Sequence, residues 1–444
     1  LQSRGYKVTA LKIDPYINVD AGTMNPTEHG EVFVLADGYE TDQDMGNYER
    51  FMNVTLDRGD YMTTGSIYKE VIEKERNLEY KGQCVQVVPH IPQEVIRRIK
   101  SAGERHEADV VIIEIGGTVG EYENILFLEA VRMLKIEEPE NVMTVMVSYV
   151  PAPSKIGEMK TKPTQHAVRT LNGTGIQPDM IVARAERMLD EKRREKIALF
   201  CNVRKEDVIS APDVESIYDV PLHFEKASVA ERIITRLALP KKRTRPSEWE
   251  AKVKQYHTAK KHVKIAVVGK YFKTGDYVLS DVYISIIEAL KHAGIAHKAQ
   301  VELTWLDSTD FEESSEKLAE LDDYQGVLVP GGFGSRGIEG KIAVIGYCRA
   351  NNIPFFGICY GMQLAVVEFA RNVLGLFEAH TVEVSPKTPY KLIDILPEQK
   401  EKLRQRDYGG SMRLGSYEAH LTKGSMAAEL YGKSVIHEQI GRAH

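Results

Sequence analysis

The chain has 444 residues, more than one ordinary core requires, so two or three domains are expected. With 43% hydrophobic and 27% charged residues it is not mainly disordered, and a net charge of −6 gives no footprint for general nucleic-acid or membrane-surface binding. Its four cysteines, Cys84, Cys201, Cys348 and Cys359, include no CxxC pair, which argues against a disulfide scaffold or zinc ribbon and makes a reducing cytoplasm the expected setting.

No apolar run reaches the roughly 18 residues of a membrane span, and no charged-then-apolar leader opens the chain. Leu1-Gln-Ser-Arg-Gly5 carries no initiator Met and reads as the last turn of a helix stopped by Gly5, the beginning expected of a truncated record. Tyr6–Ile13 then reads as a strand. Asp42 and Asp44 form a close acidic pair in a glycine-bearing loop, either solvated or metal-binding. Ile91–Ala102 and Asn124–Lys135 read as helices. Asp109–Ile115, Asn141–Val150 and Met180–Ala185 are near-continuous apolar runs, which suit parallel strands covered on both faces. Glu114 lies inside the first of these runs, near its C-terminal edge. A carboxylate there is costly unless it is paired or bound to a metal such as Mg²⁺. Lys160 and Lys162 flank a threonine in a proline-stiffened loop suited to an anion.

Strand–helix alternation predicts an α/β fold with a parallel sheet. From Pro240 to Lys264 there are nine Lys or Arg and no apolar run, which reads as a solvated linker in preference to a nucleic-acid patch. A second α/β series follows, with strands expected at Val263–Val268, Val301–Leu306, Gly326–Val329 and Pro354–Ile358. The expected partition is therefore 1–239, a linker at 240–262, and 263–444.

The strongest local signal is Gly357-Ile-Cys-Tyr-Gly-Met-Gln363. An apolar strand runs into a cysteine between two glycines, and a helix follows. Small neighbours allow the sharp turn, and the helix N-terminus should lower the thiol pKa. Upstream, Val329-Pro-Gly-Gly-Phe-Gly-Ser-Arg-Gly337 is a glycine-rich turn after the strand GVLV, and its N–H groups could form part of an oxyanion hole.

These two segments resemble the class I glutamine amidotransferase domain. The resemblance implies that Cys359 is the nucleophile, that Gly332 and the N–H of Tyr360 stabilise the oxyanion, and that Gly332, Phe333, Gln363 and Glu383 hold the substrate glutamine. The histidine base of that family stands in a His-Pro-Glu element. Here the late histidines His437 and His444 lack that context, so no base is assigned.

Before the linker, KxDPYINVDAGTM, HGEVF, TDxDxGxYERF, EIGGTVG and KTKPTQH stand in the order found in the CTP synthase family, and the resemblance covers nearly the whole chain. It implies a P-loop-type, dethiobiotin-synthetase-like amidoligase domain followed by a flavodoxin-like glutaminase. The implied reaction is amination of UTP to CTP through a 4-phosphorylated intermediate, with ATP and Mg²⁺ required, GTP as activator and a homotetramer as assembly. The resemblance makes Asp44 and Glu114 the metal ligands and Lys12 (with Asp44) a phosphate contact. It assigns Glu123, Lys160, Lys162, Gln165 and Lys196 to the UTP and CTP pocket, and Arg413 to a lid associated with GTP. There are departures: no GxxxxGK[ST] P-loop occurs in the chain, and Gly432-Lys433-Ser434 is a decoy. The alternatives are a cobyrinate-type or dethiobiotin-type amidoligase and a ParA/MinD-like nucleotide switch. No nucleic-acid or membrane partner is expected.

Overall fold

The structure, a computed structural model, describes the chain apart from residues 154, 156, 245–246, 271–272, 275–276, 279, 333, 406–412 and 442–444. The chain forms two compact units: Leu1–Val19 with Gly59–Val253, and Asp20–Arg58 with Lys254–His444.

In the first unit, Val8–Asp14 (β1) is buried along its whole length, as its run of apolar residues requires. It pairs in parallel with Tyr61–Thr63 (β2) on one side and Val110–Ile115 (β3) on the other, in a register that sets Lys12 beside both Tyr61 and Glu114. The expected helix end before β1 is a short 3₁₀ turn closed by Gly5 at φ 85°. A second parallel sheet has the order Val145–Tyr149 (β4), Met180–Ala185 (β5), Val208–Pro212 (β6). The helices Thr64–Arg76 (α1), Val87–Arg105 (α2), Ile125–Glu137 (α3), Lys162–Gly173 (α4) and Glu191–Cys201 (α5) fall between the strands. Thr63 and Ser66 start α1 by exchanging hydrogen bonds between side chain and backbone N–H. On α2, Ile91, Val95, Ile99 and Ala102 recur at helical spacing, and all four are buried.

The expectation that the apolar runs are covered on both faces fails for β3 and β4. Ile112 and Val147 are 50% and 66% exposed, and among the described residues each strand pairs with a neighbour on one side only. The strand expected from Asn141 begins at Val145, because Thr144 is held outside it by hydrogen bonds from its N–H and hydroxyl to Asp179. The stretch from 240 to 262 is not only linker. Trp249–Thr258 is helical, with Val253 buried and the Trp249 indole N–H donating to the Tyr218 carbonyl at 2.8 Å.

In the second unit, Lys261–Gly269 (β7), Ala299–Asp307 (β8), Gly326–Val329 (β9) and Phe355–Gly357 (β10) form a parallel sheet in the order β8-β7-β9-β10. Ile284–His297 (α6), Ile338–Asn351 (α7) and Tyr360–Asn372 (α8) accompany it. Its core holds Ala266, Val268, Val329, Ile342, Leu364 and Val367. An antiparallel hairpin joins Gly415–His420 (β11) to Val435–Ile440 (β12). Asp20–Arg58 leaves the first half of the sequence and packs within this unit. Ser285 donates from both its N–H and its hydroxyl to the Glu31 carboxylate, and the Ser416 N–H donates to the Ala36 carbonyl at 2.8 Å. Both units are α/β with parallel sheets, as expected. Among the described residues, no helix is long and apolar enough to cross a membrane.

Candidate active site

β9 and β10 run side by side in parallel, and the Ile358 N–H donates to the Val329 carbonyl at 3.0 Å just past the end of β10. The chain must then reverse into α8 within two residues. Cys359 makes the reversal at φ 52°, ψ −109°. A Cβ on Gly361 would run into the Val329 carbonyl, and one on Gly357 would lie 2.7 Å from the Gly361 carbonyl carbon and the Met362 nitrogen. Both glycines of the motif are therefore required by close backbone approach. Gly361→Ala is expected to destabilise this unit by about 3 kcal/mol, the upper part of the range for overpacking a core, and a thermal melt measures it.

Cys359 opens onto a cavity of about 310 Å³, also lined by Gln363, Thr381, Glu383, Ile393 and Asp394. Of the expected glutamine-site residues, Cys359, Tyr360, Gln363 and Glu383 thus converge. Gly332 is buried at φ 141°, whereas Phe333 lies outside the described residues. The Glu383 carboxylate accepts from the Gly334 N–H at 2.8 Å, and the Lys270 ammonium donates to the Gly334 carbonyl at 3.1 Å, so the glycine-rich turn is held from both sides.

The expectation of a lowered thiol pKa is corrected. The walls of the cavity desolvate Cys359 and push its pKa up, and this outweighs the Tyr360 N–H and the charge of Lys341, which act to lower it. None of the described lining residues is a histidine. His437 sits on the hairpin, 3.6 Å from the Glu418 carboxylate, and His444 lies outside the described residues.

In the first unit, the Lys12 ammonium is almost fully buried, 2.7 Å from the Glu114 carboxylate and 3.6 Å from that of Asp14. Tyr61 donates its hydroxyl proton to Asp14 at 2.8 Å. Glu114 is 47% exposed, so the burial cost anticipated for it is not incurred. Asp14 escaped the sequence reading, although an aspartate ending a wholly buried strand was a signal for it.

The acidic pair expected in a loop is in fact a helix start. Asp44 is the first residue of the helix Asp44–Met52, and its N–H donates to the Asp42 carboxylate at 2.9 Å. Asp44 belongs to the second unit and Glu114 to the first.

The Glu158 carboxylate gathers Lys160 at 2.7 Å and Arg193 at 3.3 Å, and Lys196 is near enough to join Lys160 in pulling its pKa down. Arg193 was not anticipated. Its signal was the basic run at the start of α5. Gln165 donates its amide N–H to the Thr161 hydroxyl at 3.1 Å, while Lys162 and Glu123 are exposed. Arg413 lies 4.4 Å from the centre of the Tyr417 ring, and residues 406–412 before it are outside the described residues.

A sequence model described as "CTP synthase N-terminus" matches residues 1–239, and one described as "Glutamine amidotransferase class-I" matches residues 278–436. Relatives named CTP synthase from Thermococcus gammatolerans and Pyrococcus abyssi are 51% and 52% identical to it over 440 and 442 residues, 99% of this chain and 80% of theirs. A third, from Staphylococcus epidermidis, is 48% identical over 441 residues, 99% of this chain and 81% of its own. A solved Trypanosoma brucei CTPS glutaminase domain with bound acivicin is 32% identical and covers 41% of this chain and 67% of that chain, at a TM-score of 0.37 that adds nothing on the fold.

Proposed function

Because this chain belongs to the CTP synthase family, we infer that it aminates UTP to CTP at the expense of ATP, with nitrogen taken from glutamine. The observation that carries the glutaminase half is the elbow: a cysteine turned out of a strand end between two obligatory glycines, onto a cavity that Gln363 and Glu383 share. Cys359 attacks the side-chain carboxamide of glutamine; the C–N bond breaks to release ammonia and leaves a glutamyl thioester, which water hydrolyses to glutamate and the free thiol. The Tyr360 N–H and Gly332 receive the oxyanion, and Gln363, Glu383 and Phe333 orient the substrate. Ammonia then displaces phosphate from the phosphorylated O4 of UTP.

The synthetase half is assigned to residues of 1–239 and the glutaminase half to 263–444. Lys160, Lys162, Gln165 and Lys196 receive UTP, supported by the basic cluster of Lys160 and Arg193 at Glu158. Glu123 is proposed to sense the pyrimidine nucleotide, and Arg413 to belong to a lid that answers to GTP. Carboxylate oxygens suit Mg²⁺, and Asp44 and Glu114 are each proposed as ligands to it, with Lys12 beside the phosphates. The metal would neutralise the phosphate oxygens of ATP. A homotetramer and a cytoplasmic setting complete the reading; all four cysteines being unpaired is consistent with the latter.

The test is CTP formation by the full protein from UTP, ATP, Mg²⁺ and glutamine, followed by product chromatography. CTP accumulation that requires UTP is expected. ATP hydrolysis indifferent to UTP would instead favour another amidoligase or a nucleotide switch.

A further inference from the structure

The two-residue strand His380–Thr381 pairs in parallel with Lys391–Ile393, and Thr381, Glu383 and Ile393 from this pair and its flank line the cysteine cavity. The ladder uses alternate N–H groups. That of His380 donates to the Tyr390 carbonyl at 3.2 Å, and that of Val382 to the Ile393 carbonyl at 3.0 Å. The N–H of Thr381 between them points away from the partner strand. Thr381 is buried, and a buried N–H without an acceptor is costly. The acceptor is the ring of the preceding residue: the Thr381 N–H donates to Nδ1 of His380 at 2.9 Å. Two further bonds carry this anchor to the substrate side. The Thr381 hydroxyl accepts from the Glu383 N–H at 3.2 Å, and the Glu383 carboxylate accepts from the Gly334 N–H at 2.8 Å.

The bond to Thr381 fixes the tautomer. A ring nitrogen that accepts carries no proton, so the proton is on Nε2, which faces the Glu339 carboxylate of α7 at 3.4 Å. Arg371 of α8 donates to the same carboxylate at 2.8 Å and to the carbonyl of Ala379, the residue before His380, also at 2.8 Å. Lys391 is the residue paired with His380 across the ladder. Among the described residues, these are the charged groups that face the ring from each element packed against it. His380 is itself buried. Burial, then Arg371, hold its pKa below the usual imidazole range, and Glu339 opposes them.

We propose that His380 is a positioning residue for the glutaminase: the neutral ring, bonded through Nδ1 to the Thr381 N–H, fixes the segment that sets Glu383 in the cavity wall, and a proton on Nδ1 releases it. The proposal rests on the reading of Glu383 as a group that holds glutamine. Protonation turns the acceptor into a second donor facing the Thr381 N–H, so that bond cannot survive it. Because the ring's pKa is lowered in the folded chain, the anchor is complete above about pH 6.5, the unperturbed value, and is lost as pH falls through the folded value.

The test is kcat and KM for glutamine in CTP formation by the full protein, with ammonium chloride as the alternative nitrogen source. His380→Leu keeps the bulk and removes the acceptor. It is expected to raise the glutamine KM about tenfold while leaving ammonia-driven synthesis within about twofold of wild type. His380→Asn places its Oδ1 where Nδ1 stands, an acceptor that does not titrate, and should keep the glutamine KM within about twofold of wild type. If His380→Leu does not fold, His380→Gln carries the same expectation, because its polar atoms replace Nε2 and not Nδ1. The kcat/KM for glutamine of wild type, divided by that of His380→Asn, should fall about threefold or more between about pH 7 and pH 5. Three results would overturn the proposal: an unchanged glutamine KM in a folded His380→Leu or His380→Gln protein, an equal loss in His380→Asn and His380→Leu, or parallel pH profiles for wild type and His380→Asn. A wild-type glutamine KM in folded Glu383→Ala would instead overturn the reading of Glu383 on which the proposal rests.

Discussion

Cys359→Ala is expected to reduce CTP formation from glutamine by about 10³-fold or more, the scale on which loss of a covalent nucleophile acts. Formation from added ammonia should stay within about twofold of wild type. In the proposed role the sulfur serves only to release ammonia, and it lies in the second unit at the mouth of a cavity whose described lining residues all belong to that unit. Phosphorylation of the pyrimidine is assigned to residues before position 240. The measurement is initial rate with glutamine and with ammonium chloride at matched pH, alongside a thermal melt. A folded variant that external ammonia failed to rescue would show that the two half-reactions are not divided in this way.

Glu114→Gln is expected to lower synthesis with both nitrogen sources by about 10²-fold and to raise the Mg²⁺ concentration needed for half-maximal rate. Two roles compete for this carboxylate. As a partner of the buried Lys12 alone, 2.7 Å away, it would contribute to stability and not to metal binding. Its amide would then leave the Mg²⁺ response unchanged. As a metal ligand its loss removes an anionic oxygen that the neutral amide replaces poorly. Titration of Mg²⁺ against ammonia-driven CTP formation separates the two, with melts to record stability. A folded Glu114→Gln protein with wild-type turnover and Mg²⁺ response would remove the residue from the site. Asp44→Asn is expected to act in the same direction.

How much of this was legible in the sequence depended on whether the signal was local. The strand–cysteine–helix elbow could be read because its two glycines and apolar flanks sit within seven residues, Gly357 to Gln363. The strands that carry long apolar runs were found to within a few residues at their ends, whereas the short Tyr61–Thr63 and Val208–Pro212 were missed. What failed was information carried by distant partners. Nothing near Glu31 announces that its carboxylate will receive Ser285, so the grouping of Asp20–Arg58 with the second unit was invisible. The exposure of Ile112 and Val147 depends on what packs over their faces of the sheet, and a hydrophobic run does not encode that. The thiol of Cys359 was misjudged because a helix N-terminus is visible in sequence, whereas the desolvating walls of a cavity are not.

The backbone at Cys359 has a further consequence. A φ of 52° with ψ of −109° is a conformation in which glycine rests easily and any residue with a Cβ is strained. Such a residue typically costs about 1–3 kcal/mol, a sizeable part of the roughly 5–15 kcal/mol that separates a domain from its unfolded chain. The glutaminase therefore gives up heat resistance to present its sulfur, and pressure for durability alone would favour glycine at position 359. On the proposed role of Cys359, the residue at this turn, read in any close relative, is expected to distinguish a working glutaminase from one that keeps only the fold.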